Sequence, residues 1–141
     1  MIPTEPLPLH HSWPLFDRAR HFDLGLTHDP VSLPVMVSGT AGHWQCDLAD
    51  DSLTWSDAVY DLFGLPRGAT LNRALSLPVY CDESRAVMER LRAYAIRHRR
   101  GFTVDLNIRP GGRLRKMRLI AAPECEDGRV VRLRGVKLGL D

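Results

Sequence analysis

Gly42-His-Trp-Gln-Cys-Asp-Leu48, an acidic turn, and then Thr54-Trp-Ser-Asp-Ala-Val-Tyr-Asp-Leu-Phe-Gly-Leu-Pro66 decide how this chain reads. Trp44, Cys46 and Leu48 alternate with His43, Gln45 and Asp47, the period-two pattern of a half-buried strand. Ala49-Asp50-Asp51-Ser52 supplies turn chemistry, and Leu53 and Trp55 resume the apolar face. Ser56 stands where a hydroxyl can accept from the first amides of a helix over Asp57–Phe63. Gly64 ends that helix where a left-handed residue is cheapest, and Pro66 prevents its resumption. The pattern gives a strand–strand–helix unit with two tryptophans on one face.

Outward from this unit, the chain continues in the same mixed style. Residues 67–70 are a loop, and a short helix or turn is expected near residues 71–77, with Leu71, Leu75 and Leu77 inward. A long helix follows from about Arg85 to His98, with acids before it and His98, Arg99 and Arg100 at its end, which suits the helix dipole. Its buried stripe is expected to be Val87, Leu91, Tyr94 and His98, flanked by Met88 and Ala95. Then Phe102, Val104, Leu106 and Ile108 alternate with polar residues, and Pro110-Gly111-Gly112 makes a hairpin turn. A strand from Arg113 to Ala122 follows, with Met117, Leu119 and Ala121 as its inner face. A second turn over Glu124–Gly128 leads to a last strand from Arg129 to Leu140. The expected fold class is α+β: a five-stranded antiparallel sheet with helices packed on one face and an N-terminal amphipathic helix.

Before the unit, residues 1–41 read as an extension. The first eleven residues hold three prolines and no periodicity. Ser12 is expected to cap a helix from about Trp13 to Leu24, stopped by Gly25, with Leu15, Phe16, Ala19 and Phe22 as its apolar side. That side must cover something apolar, either the chain's own sheet or the same helix of a second copy. Thr27 to Gly42 reads as linker, with Val35-Met36-Val37 a candidate short strand.

Composition bounds the function. The 141 residues fit one domain with a real core and no need of metals or disulfides. Cys46, Cys81 and Cys125 are odd in number and widely spaced, and no zinc-type spacing of Cys and His occurs. No secretory signal or membrane span is legible, so the cytoplasm is the expected location. Residues 1–83 carry a net charge of −7 and residues 84–141 a net +9, and seventeen of the nineteen cations are arginine. The ordinary reading is two solvated faces of one domain; the sharper one is a basic sheet face for an acidic partner.

These motifs, in order, resemble the PAS family with a PAC-type second half, over about Gly42 to Leu138. Gly-x-Trp-x-x-Asp-Leu and Trp-Ser-Asp-x-Val-Tyr-Asp-Leu-Phe-Gly-Leu-Pro carry the opening; Val79-Tyr-Cys-Asp-Glu-Ser-Arg85 resembles the segment before the family's long helix. Gly111-Gly112-Arg113, Asp127-Gly128-Arg129-Val130 and Leu133-Arg134-Gly135-Val136 resemble its closing hairpins. Lys116 stands where a tryptophan is common, Cys81 replaces a usual proline, and the chain lacks the usual closing Asp-Ile-Thr. The resemblance implies a 42–141 PAS domain in a single-domain protein, bacterial in style. It would be a sensory or protein-interaction module regulating a signalling partner by non-covalent binding. A histidine kinase, a response regulator or a cyclic-dinucleotide system would be typical, with a homodimer as the assembly. The alternative is a sensor whose bound haem, flavin or small metabolite sets the output, and a second alternative is a small α+β enzyme.

Candidate residues follow from this. Trp44, Trp55, Tyr60, Phe63 and Tyr94 are candidates to line a ligand pocket, although aromatic residues at such positions are more often plain core. Cys81, in the loop before the long helix, lies roughly where photoactive yellow proteins carry their chromophore cysteine, but the light-sensing flavin motif is absent. His98 is on the helix from which haem-binding PAS domains take their axial ligand, yet it sits among arginines. Leu15, Phe16, Ala19 and Phe22 are the expected dimer or partner surface, together with a basic ladder of Arg113, Arg115, Arg132 and Arg134 on adjacent strands. Asp105 is a candidate acidic neighbour for that ladder. No nucleic-acid motif accompanies the arginines, no metal site is expected, and no catalytic motif is present. The cofactor stays open.

Overall fold

The computed structural model describes residues 11–26 and 37–140. Seven antiparallel strands form one sheet: β1 (Ser12–Pro14), β2 (Val37–Asp47), β3 (Ser52–Trp55), β4 (Leu71–Asn72), β5 (Arg100–Ile108), β6 (Arg115–Glu126) and β7 (Arg129–Leu140), ordered β1-β5-β6-β7-β2-β3-β4. The expected α+β class holds, and the five expected strands are its centre. The sheet gains two short edge strands, β1 and β4, that local pattern did not reveal. Four helices complete the described residues: α1 (Arg18–Leu26), α2 (Asp57–Phe63), α3 (Arg73–Ser76) and α4 (Asp82–His98).

The sheet is buried on both faces, so it carries two apolar layers. Trp44, Trp55, Phe102, Leu106, Met117, Leu119 and Leu133 face α2, α3 and α4 and form the main core. On the other face Ile120, Ala122, Val136 and Leu138 pack under Trp13, Leu15 and Phe22. The N-terminal segment therefore covers its own sheet. The expected Trp13–Leu24 helix is corrected: Ser12–Pro14 is strand, Leu15–Asp17 is a 3₁₀ turn, and the helix runs Arg18–Leu26 through Gly25. The reason is a long-range pairing, with Trp13 opposite Gly101 on the edge of β5. Gly101 has no side chain, and a Cβ there would lie 2.2 Å from the Trp13 indole. Trp13 also donates from Nε1 to Thr103 Oγ1 at 3.0 Å and stacks on His21 at 4.2 Å.

The Gly42–Pro66 unit forms largely as its pattern requires. Trp44 pairs with Trp55 and Cys46 with Leu53 across β2 and β3. Gly64 takes the left-handed conformation, φ 69°, at the end of α2. Ser56 does occupy the N-cap position, but its hydroxyl makes no cap bond. Instead Ser56 Oγ accepts from the His43 amide at 3.0 Å, tying α2 to β2. The linker reading of Thr27 to Gly42 is corrected at its end, where β2 starts at Val37; residues 27–36 lie outside the described residues, Val35 and Met36 included.

The long helix starts three residues earlier than expected, at Asp82, and its buried stripe is Ser84, Met88, Leu91 and Ala95. Tyr94 is half-buried and His98 exposed, so the expected stripe is rotated by about one residue. Ser84 explains the shift: its Oγ accepts from the Asn107 amide at 2.8 Å, which fixes the helix's angle on β5. In the 71–77 segment Leu71 is buried, but Leu75 is 57% exposed rather than inward. The β6–β7 hairpin turns through Asp127 and Gly128, both at positive φ as a two-residue primed turn demands.

Candidate functional site

β7 alternates between the two apolar layers. Val136 and Leu138 face the N-terminal segment, so Lys137 faces the main core with Leu133 and Gly135. Lys137 is 5% exposed. Its Nζ lies 4.6 Å from the Phe63 ring centre, 5.2 Å from Trp55, 5.3 Å from Trp44 and 5.7 Å from Tyr80. It donates one hydrogen bond, to Tyr80 Oη at 3.1 Å.

No carboxylate pairs with this ammonium among the described residues. Burial pulls the Lys137 amine down from 10.5 to about 7. Cys46 could compensate only as a thiolate, and burial pushes that thiol up, so it is neutral near pH 7. Burial likewise drives the Tyr80 phenol well above its ordinary value, so its O–H stays protonated. The surrounding ring faces favour the ammonium, though each such contact contributes only about 0.5–2 kcal/mol. A cation of this kind is costly to bury, and groups so perturbed cluster at functional sites.

Lys137 borders a partly open cavity of about 40 Å³, measured as the space open to the centre of a water molecule. Its apolar wall includes Trp44, Leu53, Met88, Phe102 and Leu133. Its polar wall is Tyr80, Ser76, Arg73, Arg92 and Lys137, with no acidic side chain. Arg73 pairs with Glu89, and Arg92 lies 3.5 Å from Asp51, so both guanidiniums have partners behind the wall. Among the described residues, Lys137 is the cavity's one cation without a carboxylate. The space can hold roughly three waters, or a small organic anion of comparable size.

Of the residues expected at a pocket, Trp44 lines this cavity, whereas Trp55 and Phe63 lie against Lys137 Nζ but are not part of the cavity wall. Tyr60 stands one ring away, edge-on to Trp55, with its hydroxyl bonded to Ala69 O at 2.5 Å. Tyr94 lies elsewhere, against His98 at 4.3 Å. His98 itself is at the exposed end of α4. Cys81 is half-buried at the N-cap of α4, its amide bonded to Asn107 O, and is not part of the cavity wall.

The basic ladder is corrected by register. β6 and β7 are adjacent but antiparallel, so Arg115 lies near the Leu140 end while Arg132 stands opposite Glu124. Arg113 belongs to the loop before β6. Arg132 and Arg134 both bond Glu124, at 3.0 and 2.9 Å, and Arg134 lies 5.9 Å over Phe22. Burial opposes ionisation of Glu124, but these two hydrogen bonds outweigh it and hold its carboxyl low. Asp105 is taken by Arg118, not by the ladder. Of the other expected surface residues, Leu15 and Phe22 pack on the sheet, Ala19 is exposed and Phe16 is 89% exposed.

Lys137, Tyr80, Arg73 and Arg92 were not singled out by sequence. Parity offered a signal for Lys137, since it lies four residues from the inward Leu133. That signal is weak in a strand buried on both faces, where apolar residues occupy both parities.

No protein-family model matches the chain, and no curated protein matches it. Solved structures do. The N-terminal domain of a diguanylate cyclase with a PAS/PAC sensor from Marinobacter aquaeolei is similar at TM-score 0.64 and 15% identity, over 70% of this chain and 94% of that one. The PAS domain from Bordetella pertussis BvgS is similar at TM-score 0.54 and 18% identity, over 73% of this chain and 79% of that one. An RNA-binding light-oxygen-voltage receptor is similar at TM-score 0.61 and 18% identity; the match covers 70% of this chain but 29% of the receptor. Such identities bear on the fold and leave ligand and partner open. By its α+β architecture and these structural neighbours, the fold of this chain is that of a PAS domain.

Proposed function

We propose that the chain is a sensory PAS module that regulates a signalling partner by non-covalent association. Solved neighbours described as a diguanylate cyclase with a PAS/PAC sensor and as a sensory box histidine kinase/response regulator support a signalling role. The observation that carries the association is Phe16. The N-terminal segment covers the outer sheet face yet leaves this ring 89% exposed, beside the exposed Arg18 and Arg20. We take this ring as the centre of the association surface, with a homodimer as the simplest form. A histidine kinase, response regulator or cyclic-dinucleotide system is the expected kind of partner.

The point variant Phe16→Glu tests this better than deleting the segment, because deletion would bare Ile120, Val136 and Leu138. Light scattering should show self-association in the parent and its loss in Phe16→Glu. An unchanged molar mass in both would remove Phe16 from the interface.

A second reading, that cavity occupancy sets the output, is favoured by the unpaired buried cation at Lys137. A cytoplasmic location belongs to the same proposal: Cys46, Cys81 and Cys125 are free, which suits a reducing compartment. Among the described residues no helix is long and apolar enough to cross a membrane.

A further inference from the structure

We propose that the Lys137 cavity binds a short-chain monocarboxylate, its head group taking the spare donors of Lys137 and Tyr80 and its tail lying against Leu53, Met88 and Leu133. Only the link from occupancy to output rests on the signalling reading above; the binding site stands on its own geometry.

The donor count is the first argument. An ammonium has three N–H groups, and Lys137 spends one on Tyr80. Tyr80 accepts that bond, so its own O–H remains available to donate. Both side chains are at least nine-tenths buried, each being 5% exposed. Unspent donors in such a place are costly unless something in the cavity accepts from them. Two adjacent donors, one of them charged, match the two oxygens of a carboxylate.

Charge is the second argument. Among the described residues the cavity wall carries no acid, and Glu89 and Asp51 are engaged by Arg73 and Arg92. An entering anion therefore meets one unneutralised cation and displaces no internal ion pair. A bound cation or a second amine would meet like charge.

The remaining wall sets the class within anions. The wall also holds Leu53, Met88 and Leu133, which give nothing to a fully hydrated inorganic ion but accept a short alkyl tail. Room for roughly three waters suits a small ligand of about four to six non-hydrogen atoms, the range from acetate to butyrate. Burial also holds Lys137 near half-protonation at neutral pH, so anion binding is accompanied by proton uptake.

The test uses the purified full chain in carboxylate-free buffer. Acetate, propionate and butyrate are titrated by calorimetry and by thermal shift, with propionamide as the neutral analogue and nitrate as an inorganic anion. We expect saturable binding of at least one carboxylate, none of propionamide, and weaker binding of nitrate. Lys137→Met should weaken the carboxylate by about tenfold or more, the loss of a charge-assisted bond. Met88→Phe, which fills the tail region and keeps the lysine, should weaken butyrate more than acetate. No saturable binding by the parent protein overturns the proposal, as does equal affinity for propionamide or an unchanged affinity in Lys137→Met. Nitrate binding as tight as any carboxylate would overturn the assigned class. None of these outcomes depends on the signalling partner, whose absence would show in the association assay instead.

Discussion

Replacing Lys137 by methionine is expected to make the ligand-free protein more stable. A methionine fills similar space among Trp44, Trp55 and Phe63 without a charge to desolvate. The lysine's folded-state value near 7 lies below its unfolded value of 10.5. Between those two values the unfolded chain binds more protons, so wild-type stability rises with pH across the window. Below about pH 7 the full cost is present. At 1.36 kcal/mol per unit of pKa, that cost is about 4 kcal/mol at pH 7 and about 2 kcal/mol near pH 9. Cation–π attraction and the lost bond to Tyr80 offset roughly half of the larger figure. The net expectation is a gain of about 2 kcal/mol for Lys137→Met at neutral pH, shrinking towards zero near pH 9. Urea denaturation of both proteins across that range measures it directly. A variant less stable than wild type below pH 7, or a difference that does not move with pH, would refute the reasoning.

Three further outcomes test other parts of the account. Gly101→Val should force Trp13 off β5, since even a Cβ meets the indole; we expect a loss of about 3 kcal/mol and a changed tryptophan emission. Ser56→Ala should cost about 1 kcal/mol and speed hydrogen exchange at the His43 amide, whereas a helix-capping role would place the change at the start of α2. Glu124→Gln should loosen Arg132 and Arg134 for about 1 kcal/mol. Because the Glu124 carboxyl is held low, its contribution is present above the ordinary carboxylate range and is lost as pH falls through the folded value. An acid denaturation curve that Glu124→Gln leaves unchanged would contradict this.

Much of the fold is legible from local pattern. The Gly42–Pro66 unit, the Asp127-Gly128 turn and the inner faces of β5 and β6 are carried by residues whose neighbours in sequence determine their roles. What escaped depends on distant partners. Trp13 reads as helical until Gly101 offers it a strand edge. The α4 stripe turns because Ser84 bonds Asn107 on β5. Arg115 and Arg132 separate because antiparallel register, not strand adjacency, sets their distance. Trp44, Trp55 and Phe63 are legible in the sequence as an aromatic cluster, but its occupant, Lys137, is not. A lone lysine in a strand apolar on both sides reads as a surface residue until the N-terminal segment is seen to cover the other face.

That occupant is the centre of the account, and its protonation can be observed directly. Lysine labelled with ¹³C at Cε gives a resonance for Lys137 that one substitution assigns. In the ligand-free protein it should titrate near pH 7, and a saturating short-chain carboxylate should raise that midpoint, whereas propionamide should not. A midpoint near the ordinary lysine value, unmoved by carboxylate, would contradict both the burial of this cation and the site built around it.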